Sequence, residues 1–201
     1  MGVVRLLRSP TASASEPPEG PSDAVLVTAA RDGSRAAQEA LFRRHVRRCV
    51  GLAHRLLSAS QGEVDDLVQD SFIVAFHNLK GLRDPQAFSS WLTSIVVRTA
   101  GKRLRHQRLL QRLGLRRHEP IDLETITNPS VSSEKVLELR ELYSQLSKFP
   151  AEEAVVLVLK RVEGLDMQEI ADQLGVSMST AKRRLRRAEE RIERFQRRVE
   201  Q

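Results

Sequence analysis

The sequence has few cysteines and no long apolar runs, which excludes several classes of protein. Cys49 is the only cysteine in 201 residues, so one chain can form no disulfide and no cysteine zinc site. The longest apolar runs, such as residues 154–159, are far too short to cross a bilayer, and the apolar stretch at the start is too short for a secretory signal. We therefore expect a cytoplasmic protein without membrane insertion.

The chain also lacks any sustained alternation of apolar and polar residues, which excludes an extensive β-sheet. What it has instead is helical periodicity and positive charge. Its formal net charge is +7, from 33 basic and 26 acidic residues. This balance favours a polyanionic partner, such as nucleic acid or an acidic protein surface.

The pattern predicts an all-α fold with two small helical domains joined by a flexible linker, the C-terminal domain being a helix-turn-helix. Residues 1–22 are rich in Ser, Pro and Glu and are predicted to form a disordered arm. A helical domain follows over 23–113, a linker over 114–133, and a second helical domain over 134–201. Pro120 and Pro129 exclude a continuous helix in the linker. Because the linker has few apolar residues, we expect a partner to hold the two domains together.

Periodicity also predicts the individual helices. Their expected ranges are 24–31, 34–57, 63–79, 84–112, 134–148, 151–162, and 167 onward.

Residues 167–188 predict two short helices joined by a tight turn. Ile170, Ala171 and Leu174 form the apolar stripe of the first helix, and Gly175 permits the turn. Ser177 is placed to cap the second helix. The second helix can bury Ala181, Leu185 and Ala188 at helical spacing. The pattern is typical of a helix-turn-helix that binds DNA.

The polar side of this second helix is strongly basic. Nine basic residues and three glutamates lie between Ala181 and Arg198. A helical hairpin with a solvated, partly self-paired charged face is the alternative interpretation. The candidate DNA-contacting residues are Ser177, Ser179, Thr180, Lys182, Arg183, Arg184, Arg186 and Arg187.

An earlier helix, over residues 63–76, has the opposite charge. Asp66, Gln69, Asp70 and Ile73 fall at i, i+3, i+4 and i+7. The apolar residues, Val64, Leu67, Val68, Phe72 and Ala75, fall on another face. With Asp65 beside it, the acidic face is a candidate protein-docking surface. Alternatively, the acidic residues at the start of this helix only complement its positive N-terminus.

A second basic stretch begins at Arg98. Eight positive charges and no acidic residue occur between Arg98 and Arg117, which indicates a second nucleic-acid surface. Trp91 precedes this stretch and has two interpretations. It either stacks on a base or belongs to the core, since Phe88, Leu92 and Ile95 share its helical spacing.

We expect no cofactor and no metal. His45 and Cys49 are four residues apart and His54 follows, but four neighbouring arginines repel a cation. A nucleic-acid enzyme is disfavoured, because no carboxylate cluster or nucleophile and base pair accompanies the basic stretches. The protein is therefore not expected to be an enzyme.

Three motifs in this order resemble a known family. They are Asp65–Phe72 (DDLVQDSF), Phe88–Ile95 (FSSWLTSI) and Leu165–Leu185 (LDMQEIADQLGVSMSTAKRRL). Together they are similar to the small, two-domain sigma factors of the extracytoplasmic-function group of the sigma-70 family. The resemblance implies a transcription initiation factor that binds core RNA polymerase and directs it to promoters through their −10 and −35 elements.

The resemblance also implies roles for particular residues. Asp65, Asp66, Gln69 and Asp70 would dock on the clamp helices of the polymerase beta-prime subunit, and residues 134–162 would help to meet the beta flap. The turn over 78–86 would capture a base of the −10 element, and the helix from Trp91 would hold the separated strand. The helix from Ser177 would read the −35 element. The residues expected to contact the −10 side are Asn78, Lys80, Arg83, Trp91, Arg98, Lys102 and Arg105.

Family members are typically restrained by an anti-sigma factor, so we expect such a partner here too. The linker would thread toward the RNA exit path.

Two positions depart from the family pattern. Arg98 stands where Asn is usual, so the −10 base preference cannot be copied from relatives. Ala181 stands where Val is usual, so the recognition helix is expected to pack slightly differently. The alternative function is a dimeric helix-turn-helix regulator that binds operators without acting as a polymerase subunit. A dimer would read a two-fold symmetric site, whereas a sigma-like subunit would read two different elements.

Overall fold

The computed structural model describes residues 20–57, 60–113, 146 and 148–199. Throughout these residues the regular secondary structure is helical, which confirms the predicted all-α fold. The helices are α1 (Asp23–Arg31), α2 (Arg35–Leu57), α3 (Gln61–His77), α4 (Phe88–Arg112), α5 (Ala151–Arg161), α6 (Met167–Leu174) and α7 (Met178–Val199), with short 3-10 turns at Leu79–Gly81 and Pro85–Ala87. The predicted linker lies outside the described residues, as do nearly all of the predicted arm and of the helix over 134–148.

Helices α1 to α4 form the first domain. Helix α1 is tied to α2 by Asp23, whose two carboxylate oxygens contact Arg44 at 2.7 Å and His45 Nε2 at 2.8 Å. The His45 ring is buried edge-on against Phe88. Burial lowers the pKa of His45 despite the neighbouring carboxylate. These contacts hold α1 against α2, and α1 also contacts α4.

The core of this domain is built by the apolar faces of α2, α3 and α4. All five apolar residues predicted for α3 are buried, including Val64, Leu67 and Phe72. Leu41 of α2 and Leu92 of α4 are buried beside them. Each fully buried side chain of this kind contributes about 1.5–3 kcal/mol. The prediction that one face of α3 is core is therefore confirmed.

Helix α5 is the centre of the second domain. Its run from Ala154 to Leu159 is apolar on every side, and all six of these residues are buried. A helix that is apolar all round needs cover all round. Helices α6 and α7 pack against α5, and so do α2 and α4 of the first domain.

The two domains contact each other directly. Helix α4 packs against both α5 and α6, and α2 packs against α5. The expectation that a partner is the main element holding the domains together is therefore wrong for this structure. The composition of the linker could not predict this contact, because the interface is made by helix surfaces far from the linker in sequence.

Among the described residues, no helix combines the length and apolarity needed to span a membrane.

The buried Cys49 gives a direct test of packing in the first domain. Burial raises the pKa of its thiol to about 11, although Arg48 lies nearby. At pH 8 only about one thiol in a thousand is then ionised, and the thiolate is the reactive form. We expect Ellman's reagent to modify the native protein at least about 100-fold more slowly than the urea-unfolded protein. Because Cys49 is the sole cysteine, the absorbance reports this site alone, and equal rates in both states would contradict the packing of α2.

Candidate nucleic-acid and partner interfaces

Helices α6 and α7 form a helix-turn-helix whose boundaries are fixed by local hydrogen bonds. Asp166 caps α6 by accepting from the Glu169 amide at 2.8 Å, and the Glu169 carboxylate accepts from the Asp166 amide at 2.7 Å. This reciprocal capping box satisfies two amides that have no partner within the helix. It starts α6 at a defined residue.

The turn between the two helices requires glycine. Gly175 ends α6 with φ +65°, in the left-handed region. The Val176 amide then donates to the Ala171 carbonyl at 3.0 Å. Ser177 accepts from the Thr180 amide at 3.2 Å, which confirms its predicted role as the cap of α7. Three residues, 175–177, thus connect α6 to α7.

The inward and outward faces of α7 are those predicted. Ala181 and Ala188 are fully buried, Leu185 is packed against the core, and Ile170 of α6 is buried below them. The exposed members of the predicted DNA-contacting set are Ser177, Ser179, Lys182, Arg183, Arg186 and Arg187, while Thr180 and Arg184 are half-buried.

Arg184 is half-buried, and its positive charge influences the pKa of Glu152. Burial alone would raise the pKa of Glu152, but a backbone hydrogen bond, Arg105 and Arg184 together hold it below its usual value. Of these three arginines, Arg183 and Arg187 are exposed and Arg184 is half-buried.

The acidic face of α3 is exposed as predicted. Asp65, Asp66, Gln69 and Asp70 all lie on the surface, and Ile73 after them is 58% exposed. Asp70 pairs with Arg103 of α4, and Asp65 accepts from Gln61 at 2.7 Å. Within the described part of the chain, Asp66 and Gln69 form no hydrogen bond or ion pair through their side chains. These two polar groups are therefore available to another molecule.

The predicted −10 surface occupies the turn after α3 and one side of α4. Asn78 closes α3 by donating from its side chain to the Val74 carbonyl at 2.8 Å, while Lys80 and Arg83 are exposed. Trp91 is half-buried with its ring 6.1 Å from Phe88, so it lies at the edge of the core.

Two of the three cations predicted for the −10 side of α4 contact the second domain. Arg98 donates to backbone carbonyls of α6, and Arg105 pairs with Glu152 at 3.2 Å. Lys102 is exposed between them.

Sequence reasoning missed Arg31 at the end of α1. Its guanidinium donates to the carbonyls of Leu79 and Leu82 and so holds the turn after α3 against the domain. It also missed the acidic residues of the interface, Glu152 and Glu163. No sequence signal marks these residues, because each one meets a partner from a distant part of the chain.

His45, Cys49 and His54 do not converge. His45 contacts Asp23, and His54 contacts Gln61 at 2.9 Å on the opposite end of α2. In the described ranges, no group of three or more His, Cys, Asp or Glu side chains is arranged to hold a metal ion.

The capped helix-turn-helix and the helical domain before it define a two-domain, DNA-binding protein. A sequence model described as ECF sigma factor matches residues 23–198. The chain therefore belongs to the ECF sigma factor family. It is a transcription initiation factor that binds core RNA polymerase and directs it to promoters. The dimeric operator-binding regulator receives no support from these comparisons.

Individual relatives agree with this assignment. The chain is 32% identical over 174 residues to the ECF RNA polymerase sigma factor SigM of Mycobacterium tuberculosis H37Rv, covering 87% of this chain and 84% of SigM. It is 30% identical over 183 residues to the ECF RNA polymerase sigma-E factor of Haemophilus influenzae, covering 86% and 94%. The solved structure of CnrH in complex with the cytosolic domain of CnrY aligns with TM-score 0.57 and 28% identity, over 86% of this chain and 96% of that one.

Two glycine substitutions, one in the turn of the helix-turn-helix and one in α3, should have opposite effects on the free energy of unfolding. Gly175→Ala forces a Cβ into the left-handed region and should lower the free energy of unfolding by about 1–2 kcal/mol. Gly62→Ala is the matched control, because Gly62 lies in α3 with open space around the new Cβ. It should raise stability by about 0.5–1 kcal/mol. Thermal unfolding followed by circular dichroism measures both, and equal stability of the two variants would contradict this description of the turn.

Proposed function

We propose that three of the surfaces described above have separate roles in promoter recognition. In this proposal α3 binds the polymerase, the turn over 78–86 and α4 bind the −10 element, and α7 reads the −35 element. The observation that carries it is the opposite charge of neighbouring helices in one domain. Helix α3 presents Asp66 and Gln69, which have no partner among the described residues. Helix α4 carries Arg98, Lys102 and Arg105, of which Lys102 forms no ion pair in the described ranges, while Arg98 and Arg105 contact the second domain. Initiation in the cytoplasm requires both a protein-docking face and a polyanion-binding face.

The polymerase partner is assigned to the clamp helices of the beta-prime subunit. Asp66, Gln69 and Asp70 follow one another along α3 at the spacing of one helix face, and exposed Ile73 continues that face. Asp65 extends its acidic edge. A polar face with an apolar end fits a helical partner that offers cations and one apolar contact. Residues 134–162 are assigned to the beta flap on family resemblance, although most of residues 134–148 lie outside the described ranges.

The −10 assignment rests on a held turn beside a basic helix. Arg31 fixes the turn by binding two of its carbonyls, and the Asp84 side chain accepts from the Gln86 amide at 2.9 Å. A turn held in this way can present Asn78, Lys80 and Arg83 to a base without first being ordered. Arg98, Lys102 and Arg105 would then contact the phosphates of the separated strand.

The −35 assignment rests on the outward face of α7. Ser179, Arg183 and Arg187 are spaced four residues apart on that face, close to the N-terminal end that enters a major groove in helix-turn-helix proteins. Lys182 and Arg186 lie beside them and would contact phosphates.

An anti-sigma factor is assigned as a further partner. CnrH, the structural relative, was solved in complex with the cytosolic domain of CnrY. We extend a regulatory partner of that kind to this chain, with the exposed faces of α3 and α4 as the surfaces it would cover.

The decisive experiment is transcription in vitro. Purified core polymerase is mixed with this chain and a genomic DNA library, and the transcript starts are mapped. We expect starts at sites that share two different upstream elements separated by a constant spacer. Starts without shared upstream elements would refute the assignment.

The polymerase assignment predicts a loss of affinity from two side chains. Asp66→Ala with Gln69→Ala should weaken core polymerase binding by about tenfold or more, because it removes polar groups that have no role inside the domain. The Asp70–Arg103 pair is left intact. The matched control is Glu193→Ala, another exposed acidic residue on a helix, whose side chain is 65% exposed. Fluorescence anisotropy of labelled chain against core polymerase measures both, and equal affinities would end the assignment.

The −35 assignment predicts different behaviour for two arginines of α7. Arg187→Ala should cost about 1–3 kcal/mol of promoter affinity and relax preference at one base if the guanidinium is bidentate to guanine. Arg197→Ala removes another exposed charge almost three turns later and should cost little, equally for all sequences. Binding of the polymerase holoenzyme to a library of −35 variants distinguishes these outcomes. Equal, sequence-independent losses would show that α7 contacts only phosphate.

A further inference from the structure

The charged residues of α7 differ between its two halves. In the N-terminal half, Lys182, Arg183 and Arg187 form no ion pair with any described residue. In the C-terminal half, two charged side chains contact α5 instead. Arg191 pairs with Glu153 near the start of α5, and Glu189 pairs with Arg161 at its end. Part of the charge of α7 is therefore used inside the second domain.

Glu153 carries a carboxylate into the interior of this domain. Its side chain is only 7% exposed, and among the described residues it is the only acidic residue that is buried. A buried carboxylate is costly unless a cation and hydrogen bonds compensate for it. Arg191 compensates by donating from Nε to Oε2 of Glu153 at 2.7 Å. The carboxylate therefore holds Arg191 in one geometry more firmly than an exposed partner would.

The two ion pairs lie on either side of the buried face of α7. Successive residues are about 100° apart around a helix axis. Glu189 therefore lies about 100° to one side of the buried Ala188, and Arg191 lies about 60° to the other side. Their partners on α5, Arg161 and Glu153, are separated by about 12 Å along that helix. A rotation of α7 in either direction would stretch one pair or the other.

The two pairs also have opposite polarity. On one side α7 provides the cation, and on the other side it provides the carboxylate. If α7 were turned toward the wrong partners, Arg191 would meet Arg161, or Glu189 would meet Glu153. Such contacts between like charges oppose the wrong arrangement. The pairs therefore favour a single rotational setting of α7.

This rotation decides which side chains of α7 face a bound duplex. Ser179, Arg183 and Arg187 lie on the outward face of the same continuous helix. A binding group has to be held within about 10–20° of its productive orientation, and a bidentate guanidinium has to match two acceptors on one base. Contacts with phosphates carry no sequence information. An error in the rotation of α7 should therefore reduce sequence specificity more than general affinity for DNA.

We propose that Glu153 is a positioning residue for −35 recognition. By holding Arg191, with the Arg161–Glu189 pair on the other side, it sets the rotation of α7 and so the base that each outward side chain meets. Arg191 accordingly acts inside the domain and is not a phosphate contact. The inference rests on the proposed assignment of α7 to the −35 element.

Glu153→Ala tests this role in the holoenzyme formed by the full chain and core polymerase. The probes are a promoter from the mapped transcript starts and the same promoter with a scrambled −35 element. The ratio of the two affinities should fall about tenfold, as expected for the loss of one base contact. Binding to the scrambled promoter should not weaken, because the variant loses a negative charge. Circular dichroism establishes that the variant is folded.

A double-mutant cycle separates positioning from direct DNA contact. Arg191→Ala should lower the affinity ratio by a similar factor, and the double variant should lower it no further, because the same ion pair is lost in each case. Glu189→Ala, which removes the more exposed pair, should lower the ratio as well and serves where Glu153→Ala does not fold. Glu193→Ala is the matched control, because it makes the same charge change at a side chain that is 65% exposed, and it should keep the ratio.

The outcomes separate this role from the proposed function. A ratio that falls in the Glu153 and Arg191 variants without adding in the double variant would support the proposal. An unchanged ratio in folded Glu153→Ala would overturn it, and so would an equal loss for both promoters in Arg191→Ala, which would make Arg191 a phosphate contact. If the natural chain itself does not distinguish the two promoters, the −35 assignment is refuted, whereas a preference that survives Glu153→Ala refutes the positioning role alone.

Discussion

The 25 residues of helix α4 both pack into the core of the first domain and carry the cations that face its neighbours. Leu92, Val96 and Ala100 bury one side of the helix against α2 and α3. Because this packing fixes the rotation of the helix about its axis, it also fixes the direction in which Arg98 and Arg105 point. The position of the second domain, the availability of the acidic face and the proposed −10 surface all depend on that rotation.

The cations of α4 are shared between α3 and the second domain. Arg103 contacts Asp70 and the backbone of α3, which joins the basic helix to the acidic face within the first domain. Arg98, Arg105 and Arg108 contact the second domain, and Lys102 forms no ion pair with any residue in the described ranges. A partner that draws Asp70 away from Arg103 would thus release a further cation on α4. This connects the face assigned to polymerase with the face assigned to DNA through one ion pair.

The interface between the domains combines apolar packing with polar contacts. The buried Leu, Val, Ala and Phe side chains of the two domains form one continuous cluster, in which α2 and α4 cover part of the apolar surface of α5. Ion pairs and helix-end hydrogen bonds lie beside it, among them the pair of Arg55 and Glu163, whose side chains are only 20% and 22% exposed. Separating the domains would therefore expose apolar surface as well as break polar contacts.

Among the described residues, local pattern predicted each helix to within about four residues at its ends, together with the inward faces and the turn of the helix-turn-helix. The stripe of Ile170 and Ala171, the glycine at 175 and the cap at Ser177 are all local, because their physical causes act within a few residues along the chain. The acidic face of α3 was predictable for the same reason, since helical spacing alone places Asp66, Gln69 and Asp70 together.

Only the tertiary structure decided which of these polar groups are engaged. Arg55 and Glu163 are 108 residues apart, and Arg98 meets backbone carbonyls whose sequence carries no mark of their partner. Whether Trp91 is core or surface also depended on how closely α4 approaches its neighbours, and it lies at the boundary. Composition shows that the chain is basic and helical, but the pairing of a charge depends on distance in space, which periodicity along one helix cannot supply.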